Sequence, residues 1–331
     1  MGGEGVRADR QETPVVIRTA TIRAEPVVAV RHSVHRSWLT TVLDHEQALG
    51  YLLVAPVVGL LVGLVAYPFA VAVGYALSDR TLSDAGEFVG LDNFISLADN
   101  QIYRQALRNT FVFTAGSVAM RLVFGVGLAL LLNETFRFRR LVRAAILLPW
   151  IVPTVLGTMA WLWMFNPNFS VINYVLIRAG LAAQGPDWLT DPDLALFSVT
   201  LVNAWRGTPF MAITVLAGLQ AIPQDLYDAS AIDGAGKLQR FRYVTLPLVM
   251  PVLLTALVLS VIWTFSDFGI VYGLTRGGPM NATHVLATLS YQTGLASGNI
   301  GEGAAISLTM LPILLVLIVW QLRRIRRGGL G

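Results

Sequence analysis

The chain of 331 residues contains no cysteine. Disulfides, thiol nucleophiles and zinc–thiolate sites are thereby excluded. Charge is scarce as well: 13% of residues are Asp, Glu, Lys or Arg, where a soluble domain carries about 25%. The four histidines are scattered, without metal-ligand spacing. Inside the long apolar stretches described next, Asp267 is the one acidic residue. A membrane-embedded enzyme would need a cluster of His, Asp or Glu there. An ion-coupled secondary transporter usually carries buried acids or broken-helix ion sites, so it stands as the thinly supported alternative.

What fills the chain is apolar: 55% hydrophobic residues and a mean hydropathy of +0.62. A helix needs about 20 apolar residues to cross the hydrocarbon core of a bilayer. Six stretches qualify: Leu49–Leu77, Asn109–Leu132, Ala144–Phe165, Leu194–Leu219, Leu248–Tyr272 and Ala304–Leu322. No water is available there to satisfy backbone groups, so each is expected to be helical. The fold class expected is an all-α membrane protein of six transmembrane helices spanning 49–322. Because the first apolar run starts near Leu49, it is expected to be kept rather than cleaved as a signal peptide.

The basic residues obey this layout. Segments 1–48, 133–143, 220–247 and 323–331 hold 17 of the 24 Lys and Arg, and the alternate segments hold five. The positive-inside rule then places both termini in the cytoplasm. Arg137, Arg139, Arg140 and Arg143 are strong anchors, as are Arg323, Arg324, Arg326 and Arg327 in the basic C-terminus 323–331. Membrane topology therefore accounts for the net charge of +4, and no nucleic-acid partner is implied. Residues 1–48 read as a tail, partly flexible, in which Ser37–Gln47 could lie at the membrane surface with Trp38 at headgroup depth.

Several stretches contain helix breakers. Pro56 and Pro68 interrupt the first, Pro149 and Pro153 open the third, and Gly207 and Pro209 sit inside the fourth. Such breaks are ordinary kinks, or they mark a binding site lined by a cavity.

The most informative segment runs from Ile222-Pro223 to Leu246-Pro247. Leu226, Ala229 and Ile232 recur at helical spacing among good helix formers. Gly234 allows a sharp change of direction, and a second helical stretch follows Gly236. The expectation is a short helix lying across one face, held at both ends by spans and small enough to dock into a cleft of another protein. Gly234-Ala235-Gly236-Lys237 comes near a phosphate-binding loop, but Ala231 and Leu238 stand where that motif needs Gly and Ser or Thr.

This loop resembles the EAA loop of binding-protein-dependent ABC transporter permeases. The pattern of Glu-Ala-Ala, two residues, Asp-Gly-Ala, then Phe and Leu-Pro appears as Asp228-Ala229-Ser230, Ile232, Asp233-Gly234-Ala235, Phe241 and Leu246-Pro247. Asp228 departs from Glu and Ser230 from Ala. Gly90-Leu91-Asp92-Asn93-Phe94, Leu147-Leu148-Pro149-Trp150, Trp205-Arg206-Gly207-Thr208-Pro209-Phe210 and Leu274-Thr275-Arg276-Gly277-Gly278-Pro279 extend the match over about residues 49–322. It is most similar to the sugar-importing branch, on the side of the larger permease of maltose-type importers.

The resemblance implies the type I importer permease fold and a set of partners. A second permease, as a heterodimer, would complete the pathway. Two ATPase subunits would bind ATP and Mg, leaving this chain without cofactor or catalytic residue. An extracytoplasmic binding protein would deliver a sugar or polyol-like solute, in a bacterial or archaeal cytoplasmic membrane. Asp228, Ala229, Ser230, Ile232, Asp233, Gly234 and Ala235 would couple to the ATPase, with Asp228 paired to a basic residue of it. Spacing alone would read Asp225, Asp228 and Asp233 as solvated charges and caps.

Sugar recognition needs hydrogen-bonding groups beside flat apolar surface. Arg206, Gly207, Thr208 and Phe210 in the fourth stretch offer this, as do Phe265, Ser266 and Asp267 in the fifth. Arg206 and Asp267 are expected near each other, as solute contacts or as a structural interhelical pair. Arg121 is expected to brace helices. The external segment 273–303 is the expected docking loop for the binding protein.

Overall fold

The computed structural model describes residues 46–328. The expected surface helix at Ser37–Gln47 and nearly all of the tail lie outside the described residues; Glu46 and Gln47 open the first helix. The chain divides into two units, Met1–Leu61 and Val62–Gly331. The first contributes helix α1, Glu46–Leu61.

The second unit opens with a π-helical turn, Val62–Ala66, and α2, Tyr67–Ala76. There follow α3 (Asp92–Asp99), α4 (Gln101–Asn133), α5 (Arg139–Ile146), α6 (Leu148–Ile151), α7 (Thr154–Met164) and α8 (Val171–Arg178). Then come α9 (Pro192–Gln220), α10 (Gln224–Ile232), α11 (Lys237–Arg240), α12 (Leu246–Phe265), α13 (Gly269–Leu274), α14 (Leu286–Tyr291) and α15 (Ile300–Gly328). Among the described residues the only β feature is an isolated bridge between Ser78 and Phe88. The all-α expectation holds.

Among the described residues, four helical stretches are long and apolar enough to cross a membrane: Leu49–Ala76, Gln101–Asn133, Lys237–Phe265 and Ile300–Arg323. The expected third span is not a single rod. Arg139–Ile151 and Thr154–Met164 meet at 95°. Pro153 is the cause: it disfavours helical geometry in the residue before it, and Val152 is extended at φ −62°, ψ 129°. Counted as one broken span, this pair makes five.

The expected fourth span is helical throughout, within α9, but α9 is not among the helices apolar enough to qualify. It is the polar spine of the bundle. Ser198, Thr200, Asn203 and Thr208 are all buried. Three of these hydroxyls donate to the carbonyl four residues back, at 3.1, 2.6 and 2.7 Å, which makes burial tolerable. The expected fifth span differs as well: it stops at Phe265 and restarts at Gly269. At the C-terminus the helix runs on to Gly328, beyond the expected boundary at 322.

Helix starts follow local chemistry. Asn100 caps α4 by accepting from the N–H groups of Ile102 and Tyr103 at 2.9 and 3.2 Å. Asp191 caps α9 by accepting from Asp193 at 2.9 Å, with Pro192 in the first turn. α4 and α9 form the most extensive helix pair, and α12 packs against both. Ala129, Leu132, Met211, Val215, Leu219, Leu253 and Ala256 make the core between them. A second core joins Ala76, Leu97, Ala106, Phe265, Leu286 and Ile306, and a third joins Phe113, Phe165, Val199, Val271 and Val285.

Candidate functional site

Two places carry chemistry. The first is a cavity of about 220 Å³ lined by Arg121, Trp150, Arg206, Gly207, Phe210, Trp263 and Asp267. It sits where α4, α6, α9 and the break after α12 converge. Arg206 and Asp267 thus share one cavity, together with Gly207 and Phe210. The aromatic wall is continuous: Phe210 meets Trp263 edge-on at 4.9 Å and Trp150 at 6.2 Å.

Behind this cavity runs a polar chain. Arg121 Nη1 donates to Thr264 Oγ1 at 2.8 Å, and Nη2 donates to the Asn203 carbonyl at 2.9 Å and to Asn203 Oδ1. Asn203 Nδ2 donates to Asp267 Oδ2 at 3.2 Å. Asp267 Oδ1 accepts from the Ile270 N–H at 3.0 Å. The network therefore grips both sides of the break at 266–268: Thr264 at the end of α12 and Ile270 at the start of α13. Arg121, Asn203 and Thr264 are all buried. Arg121 does brace helices, and it joins three of them.

Arg206 is the less committed cation. Its Nε is buried and makes no hydrogen bond, and it lines the same cavity as Asp267. That leaves guanidinium donors for a visiting group.

Three of the expected pathway residues do not line this cavity. Thr208 faces a separate apolar pocket with Phe124, Leu128 and Pro149, and its hydroxyl is used on Ala204 within the helix. Phe265 is 2% exposed and packs edge-on against Phe111 at 5.6 Å. Ser266 is exposed at the helix end instead. Helical rotation of about 100° per residue explains the split: neighbours of a lining residue point elsewhere. Sequence reasoning missed Trp150 and Asn203 as site residues, and it gave Trp263, which opens the candidate stretch Trp263–Phe268, no role of its own. Only Trp263 carried a nearby signal, four residues before Asp267.

The second place is α10. It carries no buried residue, and Leu226, Asp228, Ala229, Ile232, Asp233 and Gly234 are exposed; Ile232 reaches 88% exposure. Ser230 and Ala235 are half-buried. The helix closes as a Schellman motif. Gly234 takes φ +78°, its N–H donates to Ala231 at 3.1 Å, and the Ala235 N–H donates to Ser230 at 3.0 Å. Tyr227 Oη pairs with Thr245 Oγ1 at 3.1 Å and ties α10 to the next span. Asp228 accepts from Gln224 at 3.3 Å and otherwise faces outward. α10 is thus an exposed helix with a fixed exit and one anchor to the next span.

Residues 85–327 match the family of binding-protein-dependent transport system inner membrane components. The chain belongs to this family. The trehalose/maltose transport system permease protein MalF of Thermococcus litoralis is 37% identical over 293 residues, covering 87% of this chain and 98% of the relative. The sulfoquinovosyl glycerol transport system permease protein SmoG of Agrobacterium fabrum is 34% identical over 283 residues, covering 85% and 91%. In fold, the chain is similar to a bacterial ABC transporter involved in the import of the acidic polysaccharide alginate: TM-score 0.73, 22% identity, 88% of this chain and 99% of that one. This protein is a multi-pass permease subunit of an ABC importer, and the ion-coupled alternative is set aside.

Part of the permease's 273–303 segment, the expected docking loop, packs against the helix bundle. Thr283, His284, Val285, Leu286 and Thr288 are buried. Asn109 Nδ2 in α4 donates to the carbonyls of Ala282 and His284 at 2.9 and 3.1 Å, and Thr110 Oγ1 accepts from the Leu286 N–H at 2.9 Å. These buried carbonyls need donors, and the segment folds back to find them. Met280, 80% exposed, marks its outward tip.

Proposed function

We propose that this permease imports a sugar or polyol-like solute, working with a second permease subunit, two ATPase subunits and an extracytoplasmic binding protein. The relatives MalF and SmoG, permeases for trehalose/maltose and sulfoquinovosyl glycerol, support the solute class. ATP and Mg are used by the ATPase partners, and this chain binds no cofactor. Membership in a family of inner membrane components supports a bacterial or archaeal cytoplasmic membrane location, and the distribution of 17 of 24 basic residues supports both termini in the cytoplasm.

The carrying observation is α10, an exposed helix with no buried residue between two long helices. On this reading it is the coupling helix. Asp228, Ala229, Ser230, Ile232 and Asp233 sit in a groove of the ATPase, and Gly234 and Ala235 fix the exit. Nucleotide shifts the permease between two arrangements by its differential affinity for them. The cavity of Arg206, Gly207, Phe210 and Asp267, widened by Trp150 and Trp263, lines the solute pathway: aromatic faces pack sugar rings, and the charged groups take hydroxyls.

The test is co-purification. Wild-type permease should carry its ATPase subunit out of the membrane, and Asp228→Arg should release it. Retention of the ATPase by Asp228→Arg would speak against the pairing. For the cavity, Trp263→Ala should lower transport while leaving ATPase binding intact; unchanged transport removes Trp263 from the pathway.

A further inference from the structure

The turn before α5 and α5 itself present a surface that the transport reading does not use. Between Glu134 and Asp187 the sequence has no acidic residue, yet Arg137, Arg139, Arg140 and Arg143 fall within seven positions. Arg143 is committed inward: its Nη2 donates to the Leu132 carbonyl, in the last turn of α4, at 2.9 Å. Val142 and Ile146 pack on the core of Ala129, Leu132, Leu216 and Leu219. These contacts pin α5 at the end of the bundle where α4 and α9 both terminate. Ile222, at the root of the loop helix, joins the same cluster, so both features share that end.

The outward side is mixed. Phe138 and Leu141 are 58% and 68% exposed, and Arg137 and Arg140 are exposed beside them. The Arg137 guanidinium lies 5.6 Å from the Phe138 ring centre. Water suits the arginines but not the two large apolar groups, and hydrocarbon suits the reverse. The boundary between headgroups and acyl chains suits both. A guanidinium fork also matches phosphate oxygens.

We infer that Arg137 and Arg140, with Phe138 and Leu141, bind anionic phospholipid in the leaflet bordering the coupling helix. Charge complementarity selects an anionic headgroup, and the exposed apolar pair beside span ends selects lipid over the acidic surface of a partner protein. The inference goes beyond the proposed function, because lipid binding needs neither ATPase nor solute.

The full-length permease is reconstituted in phosphatidylcholine with graded phosphatidylglycerol, and retained lipid is counted by native mass spectrometry. Arg137→Gln with Arg140→Gln is expected to weaken phosphatidylglycerol binding roughly ten- to thirty-fold. Arg137→Lys with Arg140→Lys should keep most of it, and Arg178→Gln, on α8, should change nothing. Unchanged phosphatidylglycerol retention in the Gln double variant overturns the inference. If that variant keeps the lipid but loses co-purifying ATPase, the surface belongs to the motor and the inference is likewise overturned.

Discussion

Arg121 occupies the space that a side chain at position 207 would need: a Cβ on Gly207 would stand 2.0 Å from its Nε. The glycine makes room for the arginine beside the cavity that both residues line. The guanidinium lies in this niche, buried, with bonds to α9 and α12. Gly207→Ala must push it out. The expected loss is about 1–3 kcal/mol from overpacking, read as a lower unfolding temperature in detergent. Gly127→Ala, in the same helix as Arg121 with nothing within 4 Å of its Cβ, should be neutral.

Removing the arginine tests the same network from the other side. Arg121→Met leaves the Asn203 oxygens and Thr264 Oγ1 without their donor, at about 1–3 kcal/mol per orphaned buried group. Arg121→Lys keeps the charge but not the fork and should recover only part of the stability. A Met variant as stable as the parent would show that the network is dispensable.

At the loop helix, Gly234 at φ +78° is the residue whose backbone sets the exit. Gly234→Val forces a β-branched side chain into left-handed geometry, at a cost of roughly 1–2 kcal/mol. The change falls on a surface segment, so the permease should still insert and purify while ATPase co-purification drops. Normal association would separate the turn from coupling.

His284 gives a pH handle. Burial pushes its imidazole below the ordinary histidine range of about 6.5, because the charged form is desolvated. The folded protein therefore binds fewer protons than the unfolded one at mildly acid pH. Stability is full above the unfolded value and declines as pH falls from there toward the depressed folded value. Unfolding temperature should drop between pH 7.5 and 5.5, and His284→Gln should flatten that dependence. An equal slope in the variant would place the titrating group elsewhere.

How far the sequence could be read depended on the range of the interaction. α10 and its glycine exit were legible because helix formers, apolar spacing and a left-handed stop all act within a dozen residues. Arg206 and Asp267 were expected as neighbours because a charge in a membrane demands a partner, and they do line one cavity. The right angle after Val152 was not foreseen, since Pro153 reads equally as a kink. Thr208 lies outside that cavity, and its hydroxyl has a local acceptor at Ala204, 2.7 Å away, which the sequence pattern does not show. Trp150, 56 positions before Arg206 in the chain, reaches the cavity only through the tertiary packing of α6 on α9. Neither the polar spine nor the folded-back 273–303 segment shows in local pattern, because both answer to groups on distant helices.

The absence of native cysteine makes one measurement direct. Ile232→Cys places a single thiol at a position of the loop helix that is 88% exposed, for crosslinking in sealed vesicles that hold the assembled importer. The account predicts an adduct with the ATPase subunit and protection from thiol reagents confined to the outside. Labelling from the outside, or no adduct while ATPase and permease still co-purify, would contradict it.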